Sequence, residues 1–294
     1  MKIMEPERMI PRPIPHQQGM AVSKDGCRIT WYRYGSGDRV VVFVPTWNLV
    51  DARVVGHQVE YLAERFTVIT YDPRGAGASD QPRQGYDFPL HAADALAVLD
   101  ANRVQHAALV TASRGVNSAV IIATEHADRV HRLAVVAPYL QLTPVDNRDF
   151  WTPREVYEGW DRFNAHAWRA DWPGFVRFFM GEVFVEPDSA TTIDQVVSIA
   201  LHAQPEILIT QESELDWGIA PPLLPRVTCP TLLIHGDSDA TLPISNVKAI
   251  VKLVPNAQLK IIAGGGHRPD IRTPQRVNAL LSDFLEAGPP GGAP

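Results

Sequence analysis

Two rhythms of apolar and polar positions alternate along the chain. Short, mostly apolar runs of five or six residues recur at 40–44 (VVVFV), 67–71 (TVITY), 106–111 (HAALVT), 132–137 (RLAVVA), 231–235 (TLLIH) and 257–262 (AQLKII). Their length and β-branched content predict buried strands. Between them lie stretches of helical spacing: 51–65, where Val54, Val55, Val59, Leu62 and Ala63 share a face, then 90–102, 115–125, 244–254 and 274–286. Residues 27–34 (CRITWYRY) predict a further strand, and the turn residues Gly35, Ser36, Gly37 and Asp38 predict a hairpin joining it to 40–44. Wholly apolar strands separated by helices belong in a mostly parallel sheet covered on both faces, so the expected class is α/β.

The alternation breaks off near residue 140 and resumes near 230. The interval holds five of the seven tryptophans (Trp151, Trp160, Trp168, Trp172, Trp217) and six of the ten phenylalanines, without a strand pattern. The expected organisation is a core over 20–139 and 223–287, with a helical cap at 140–222 lying over one end of the sheet. Pro6, Pro11, Pro13 and Pro15 interrupt the apolar run a signal peptide needs, so 1–19 reads as an extended arm. The segment 288–294 (GPPGGAP) has the composition of a flexible tail. No internal repeat of solenoid or propeller period is present.

Composition narrows the function classes. Of 294 residues, 45% are hydrophobic and 20% charged, and 33 acidic against 27 basic side chains give a net charge of −6, as in an ordinary globular protein. That balance, with no dense basic run, argues against a nucleic-acid partner. No run of about 18 apolar residues exists to span a membrane. Cys27 and Cys229 stand far apart with no ligand partner at metal spacing, so neither a disulfide framework nor a zinc site is expected. A reducing, cytoplasmic setting fits.

The candidate chemistry begins at Thr111-Ala112-Ser113-Arg114-Gly115, where a serine sits between an apolar strand and an apolar helix with no intervening loop. A turn that tight strains the serine backbone and demands small neighbours, which Gly115 supplies well and Thr111 moderately. It also exposes the hydroxyl at the carboxyl edge of the sheet, in front of the free N–H groups of a helix N-terminus. The plainer alternative is that Ser113 only caps the helix. A serine nucleophile needs a base oriented by an acid. Both types follow later strands, in His235-Gly236-Asp237-Ser238-Asp239 and in Ala263-Gly264-Gly265-Gly266-His267. Serine, acid and histidine thus each fall just past a strand's C-terminal end, where open sheets gather ligands.

In these features, over residues 26–286, the sequence resembles the α/β-hydrolase superfamily, specifically its cap-bearing esterase, epoxide-hydrolase-like and C–C-hydrolase-like members; the insertion matches in position only. Thr111-Ala112-Ser113-Arg114-Gly115 stands where the superfamily has its G-x-S-x-G elbow, and Asp72-Pro73-Arg74-Gly75-Ala76-Gly77-Ala78-Ser79-Asp80 looks like its D-x-R-G-x-G-x-S turn. Gly236-x-x-Asp239 and Gly266-His267 look like its acid and histidine loops. The resemblance implies Ser113 as nucleophile, His267 as general base and acid, and Asp239 as orienting carboxylate. Asp237 is the rival acid, and the residues themselves leave both open. The turn at 72–80 lacks the Lys-Ser/Thr of a phosphate loop, so Gly75 and Gly77 read as glycines for backbone bends.

Two departures stand out. Val44-Pro45-Thr46-Trp47-Asn48 replaces the superfamily's usual His-Gly, leaving the backbone N–H groups of Trp47 and Arg114 as the implied oxyanion donors. Losing one such donor costs on the order of 3 kcal/mol. The other departure is Thr111 in place of glycine. A serine nucleophile disfavours dehalogenase and epoxide-hydrolase chemistry, which need a carboxylate. The expected activity is therefore cofactor-independent hydrolysis of a carboxylic ester, lactone or thioester through an acyl-enzyme. Two rivals remain: acyl transfer or C–C cleavage on the same triad, and a non-catalytic ligand-binding protein whose oxyanion hole no longer works. The Arg114 side chain either favours a carboxylate-bearing substrate or pairs with an acid of the cap or a loop. The aromatic insertion implies a small-molecule substrate with an apolar or aromatic portion.

Overall fold

A computed structural model of the chain describes residues 8–143 and 146–287; the segment expected to be a flexible tail, 288–294, and residues 1–7 of the expected arm lie outside them. The described residues form one eight-stranded sheet. Its strands are β1 (Gln17–Val22), β2 (Arg28–Tyr34), β3 (Val40–Val44), β4 (Thr67–Tyr71), β5 (Ala107–Ala112), β6 (Val130–Val136), β7 (Thr231–Gly236) and β8 (Ala257–Ile262). Across the sheet they run β1-β2-β4-β3-β5-β6-β7-β8. β1 and β2 pair antiparallel and β2 meets β4 antiparallel, while β4, β3, β5, β6, β7 and β8 are mutually parallel. A mostly parallel α/β sheet is the class expected from the apolar runs.

The expected hairpin between 27–34 and 40–44 does not form. β4 lies between β2 and β3, and β2 pairs with β4 at Trp31–Tyr71 through Tyr34–Val68. Gly35, at φ +65°, and Gly37 carry the chain past the start of β4. A Cβ at either position would lie 2.2 Å from the Phe66 carbonyl oxygen or 2.0 Å from that of Arg65. The glycines therefore serve a backbone crossing, which demands the same residues as a tight turn. β1 departs from the sequence expectation, because it is a strand that takes in the last residues of the stretch expected to be an arm. It is a solvent-facing edge strand with Met20 and Val22 exposed, so it lacks the continuous apolar signature of the buried strands.

Helices α1 (Gly56–Leu62), α2 (Phe88–Ala101) and α3 (Gly115–Glu125) fill the connections of the first half. The helix expected over 51–65 is split into a 3₁₀ turn at Ala52–Val55 followed by α1. Between β6 and β7 the strand–helix alternation stops and the chain forms α4 (Arg148–Trp151), α5 (Ala165–Ala170), α6 (Trp172–Val183), α7 (Ala190–Ala200) and α8 (Pro205–Glu214). Helices α9 (Ile244–Leu253), α10 (Pro269–Arg272) and α11 (Pro274–Glu286) complete the chain. No helix among the described residues is long and apolar enough to cross a membrane.

One apolar cluster fills each face of the sheet, and a third joins the inserted helices to the segment after β3. In that third cluster Trp168 is fully buried, its ring 4.7 Å from that of Phe175 and 4.9 Å from that of Phe150. Trp47, Leu49 and Val50 complete it from the sheet side. The aromatic density seen in the sequence thus builds a separate small core, and its underside is the carboxyl edge of the sheet.

Candidate active site

Ser113 occupies a left-handed backbone conformation, φ +51°, between β5 and α3. A non-glycine residue there is strained, and such strain gathers at functional sites. The neighbours of Ser113 explain how the turn closes. Thr111 Oγ1 donates to the Val44 carbonyl of β3 at 2.8 Å. A Cβ on residue 115 would lie 2.1 Å from Thr111 Oγ1 and 2.4 Å from the Pro45 carbonyl oxygen. Gly115 therefore absorbs the crowding that Thr111 introduces. The Ser113 hydroxyl does not cap α3, whose N-cap residue is Arg114.

The hydroxyl instead faces a histidine. Ser113 Oγ lies 2.8 Å from His267 Nε2, and His267 Nδ1 lies 2.7 Å from Asp239 Oδ2. An ionised carboxylate only accepts, which assigns the imidazole proton to Nδ1 and leaves Nε2 to accept from the serine. Thr241 Oγ1 is also 2.7 Å from Nδ1 and 2.8 Å from Asp239 Oδ1. The backbone N–H groups of Thr241 and Leu242 donate to that same oxygen at 2.8 and 3.0 Å. Burial pushes the Asp239 carboxyl up, but the hydrogen bonds and charge of His267, with Thr241 and Leu242, outweigh it and hold it below its ordinary value. Gly236 and the glycines before His267 allow this meeting, because a Cβ at 236 would sit 2.2 Å from the Gly265 carbonyl oxygen.

Asp237, the rival acid, points elsewhere: it is exposed and accepts the Gly264 N–H at 2.6 Å. His235 lies behind Asp239, 3.8 Å from its carboxylate and fully buried. Burial lowers the His235 pKa despite the carboxylate's charge, so the ring stays neutral. Its Nε2 faces the Leu242 carbonyl at 3.1 Å.

Ser113 and His267 stand on the floor of a cavity of about 530 Å³ whose wall includes Thr46, Trp47, Arg114, Phe163, Phe179 and Glu212. The volume and the aromatic lining suit a small organic molecule. The backbone N–H groups of Trp47 and Arg114 have no partner among the described residues. The Arg114 side chain lines this wall and pairs with Glu212 of α8, the second of the two roles open to it from sequence. Glu212, and Glu186 beyond α6, carried no sequence signal, because their partners are distant in the chain. Glu186 Oε1 accepts the Gly266 N–H at 2.7 Å.

The Asp72–Asp80 turn is tied to the surrounding fold by hydrogen bonds. Asp72 accepts from the Tyr32 hydroxyl and from the N–H groups of Ala52 and Ala78. Arg74 is fully buried and bonds Asp94, Asp25 and the Gly85 carbonyl. Burial works against the Arg74 charge, yet the hydrogen bonds to Asp94 and Asp25 outweigh it and hold its pKa above the ordinary value.

A family model described as the alpha/beta hydrolase fold matches residues 39–269. This chain belongs to that family. It is 30% identical to a non-heme haloperoxidase of Rhodococcus erythropolis, over 90% of this chain and 98% of that protein. It is 26% identical to the serine hydrolase BPHL of Homo sapiens, over 90% of this chain and 85% of that protein. In structure it is similar to a bromoperoxidase from Bacillus anthracis, with a TM-score of 0.78 and 24% identity over 92% of this chain and 100% of that one.

Proposed function

We propose that this chain is a cofactor-independent serine hydrolase that cleaves a carboxylic ester, lactone or thioester. The observation that carries the reading is the unbroken relay Ser113–His267–Asp239 at the floor of an aromatic-walled cavity. Membership of the alpha/beta hydrolase fold family and similarity to a serine hydrolase support it.

In this reading His267 Nε2 takes the Ser113 proton as Oγ bonds to the acyl carbon. The carbonyl oxygen becomes an oxyanion facing the N–H groups of Trp47 and Arg114. Asp239 holds the imidazole with its proton on Nδ1 and stabilises the imidazolium. The tetrahedral species collapses, the bond to the leaving oxygen or sulfur breaks, and His267 returns the proton to that atom. Water then gives a proton to His267 and attacks the acyl carbon, the tetrahedral species collapses, His267 returns that proton to Oγ as it leaves, and the acid is released. The helices of 140–222 act as a cap that excludes bulk water from these steps and contacts the apolar part of the substrate.

A fluorophosphonate probe tests the reading. Labelling at Ser113 that disappears in His267→Ala is expected; a folded wild type that takes no label would favour a non-catalytic binder. Product analysis with added alcohol or thiol acceptors separates hydrolysis from acyl transfer.

A further inference from the structure

Two arginines line the cavity, and each is matched with a buried carboxylate. Arg114 Nη1 donates to Glu212 Oε1, with each side chain only 9% exposed. Arg268 Nε and Nη2 donate to Asp270 at 2.9 and 2.7 Å. The Arg114 guanidinium also sits among rings, 4.2 Å from the centre of Trp47, 5.1 Å from that of Trp217 and 5.7 Å from that of Phe163. The other acids on the wall, Asp146 and Asp149, stand at the exposed rim and pair with Arg148 and Arg154. Arg114 directly follows Ser113, and the two line the same cavity.

We infer that Glu212 masks the charge of Arg114, so that the site takes uncharged acyl groups and rejects those ending in a carboxylate; this rests on the hydrolase reading above. A carboxylate entering the cavity loses its water and has no unpaired cation to meet. At Arg114 it meets a cation already neutralised by Glu212, so a second carboxylate brings its own charge into the site uncompensated, and displacing Glu212 would leave that group a buried charge without a partner. The aromatic rings hold the guanidinium at the cavity wall, where its charge faces the substrate once Glu212 no longer neutralises it. Glu212 is a specificity-determining residue on the inserted helix α8, and removing its charge converts Arg114 into a receptor for anions.

The test compares p-nitrophenyl butyrate with the p-nitrophenyl monoester of glutaric acid, which adds a terminal carboxylate, on wild type, Glu212→Gln and Glu212→Asp. Wild type is expected to favour the neutral ester in kcat/KM by about tenfold or more, the scale of an uncompensated polar burial. Glu212→Gln is expected to move that ratio about tenfold toward the anionic ester, and Glu212→Asp to keep it. Binding of benzoate to Ser113→Ala and to Ser113→Ala/Glu212→Gln, read by calorimetry, follows the same preference without catalysis, tighter in the double variant. A wild type that hydrolyses both esters equally, or unchanged benzoate binding in the double variant, overturns the masking. Absent hydrolysis with the expected benzoate shift would sink the hydrolase reading alone, and wild-type discrimination stays decisive if Glu212→Gln fails to fold.

Discussion

Glu186 Oε1 and the backbone N–H of Gly266 are 2.7 Å apart, joining the inserted helical segment to the loop that presents His267. The next N–H along, that of His267 itself, donates to the Val183 carbonyl at 3.0 Å. Two successive backbone donors of the histidine loop are therefore held from the insertion and not from the sheet. A Cβ at Gly266 would lie 2.9 Å from the Val183 oxygen and 3.0 Å from Glu186 Oε2, so the loop fits only because residue 266 has no side chain.

This contact makes Glu186 a positioning residue. Glu186→Ala is expected to lower kcat about ten- to a hundredfold, the cost of displacing a base by a fraction of an ångström, with KM little changed. Glu186→Gln keeps an acceptor for Gly266 and is expected to retain most activity. Burial pushes the Glu186 carboxyl above its ordinary 4.5, more than its bond from Gly266 lowers it. The native state then holds that proton more tightly than the unfolded chain, so ionisation subtracts stability as pH rises from 4.5 through the native value. Melting temperatures measured from acid to neutral pH should therefore fall less steeply in Glu186→Gln than in wild type.

The two candidate acids separate cleanly by mutation. Asp239→Asn is expected to lower kcat about a thousand- to ten-thousandfold, because an amide cannot hold the imidazole tautomer or stabilise its cation. Asp237→Asn, which disturbs an exposed loop contact with Gly264, is expected to leave an enzyme about as active as wild type. The stability signs also differ. The native Asp239 carboxyl lies below its ordinary 3.8, so it contributes stability above that pH that is lost as pH falls through the native value. Asp239→Asn should lack this acid-limb loss. If Asp237→Asn proved the inactive variant, the relay as drawn would be wrong.

Much of this site is legible in the sequence, and the limits have physical causes. Ser113 announced itself because a strand and a helix meeting without a loop leave one residue to make the turn, and strain there is local. The choice between Asp239 and Asp237 was open because both follow β7 closely. What decides it is that Asp239 faces the His267 imidazole while Asp237 accepts from Gly264, a contact between the loops after two neighbouring strands. The expected hairpin between β2 and β3 fails for a similar reason: Gly35 and Gly37 look alike whether the chain turns back or passes over another strand. Glu186 and Glu212 were invisible because a single carboxylate in a helical stretch has no pattern until its partner is known.

The Asp72–Asp80 turn should prove structural under mutation. Arg74 and Asp94 are both fully buried, with Arg74 Nη2 2.6 Å from Asp94 Oδ1 and Arg74 Nε 2.7 Å from Oδ2. Removing one partner leaves a buried, poorly compensated charge, which typically costs about 3–5 kcal/mol. Asp94→Asn is expected to lose stability on that scale in urea unfolding, yet to label with fluorophosphonate at Ser113 like wild type wherever it remains folded. Loss of labelling in the folded protein would instead place this cluster in the chemistry.

Gly115→Ala tests whether the tight turn is held by packing. The added methyl meets Thr111 Oγ1 at 2.1 Å and the Pro45 carbonyl at 2.4 Å, so α3 must retreat from β3 and carry Ser113 with it. Overpacking of this kind costs about 1–3 kcal/mol, and a nucleophile moved from the 2.8 Å contact with His267 loses activity about tenfold or more. Changing Thr111 to Ala as well removes only the side-chain collision, because the Pro45 carbonyl belongs to the backbone. The double variant should therefore recover part of the stability while activity stays low. Full recovery of both would mean that the hydroxyl of Thr111, and not the approach of the two backbones, sets the geometry of the serine.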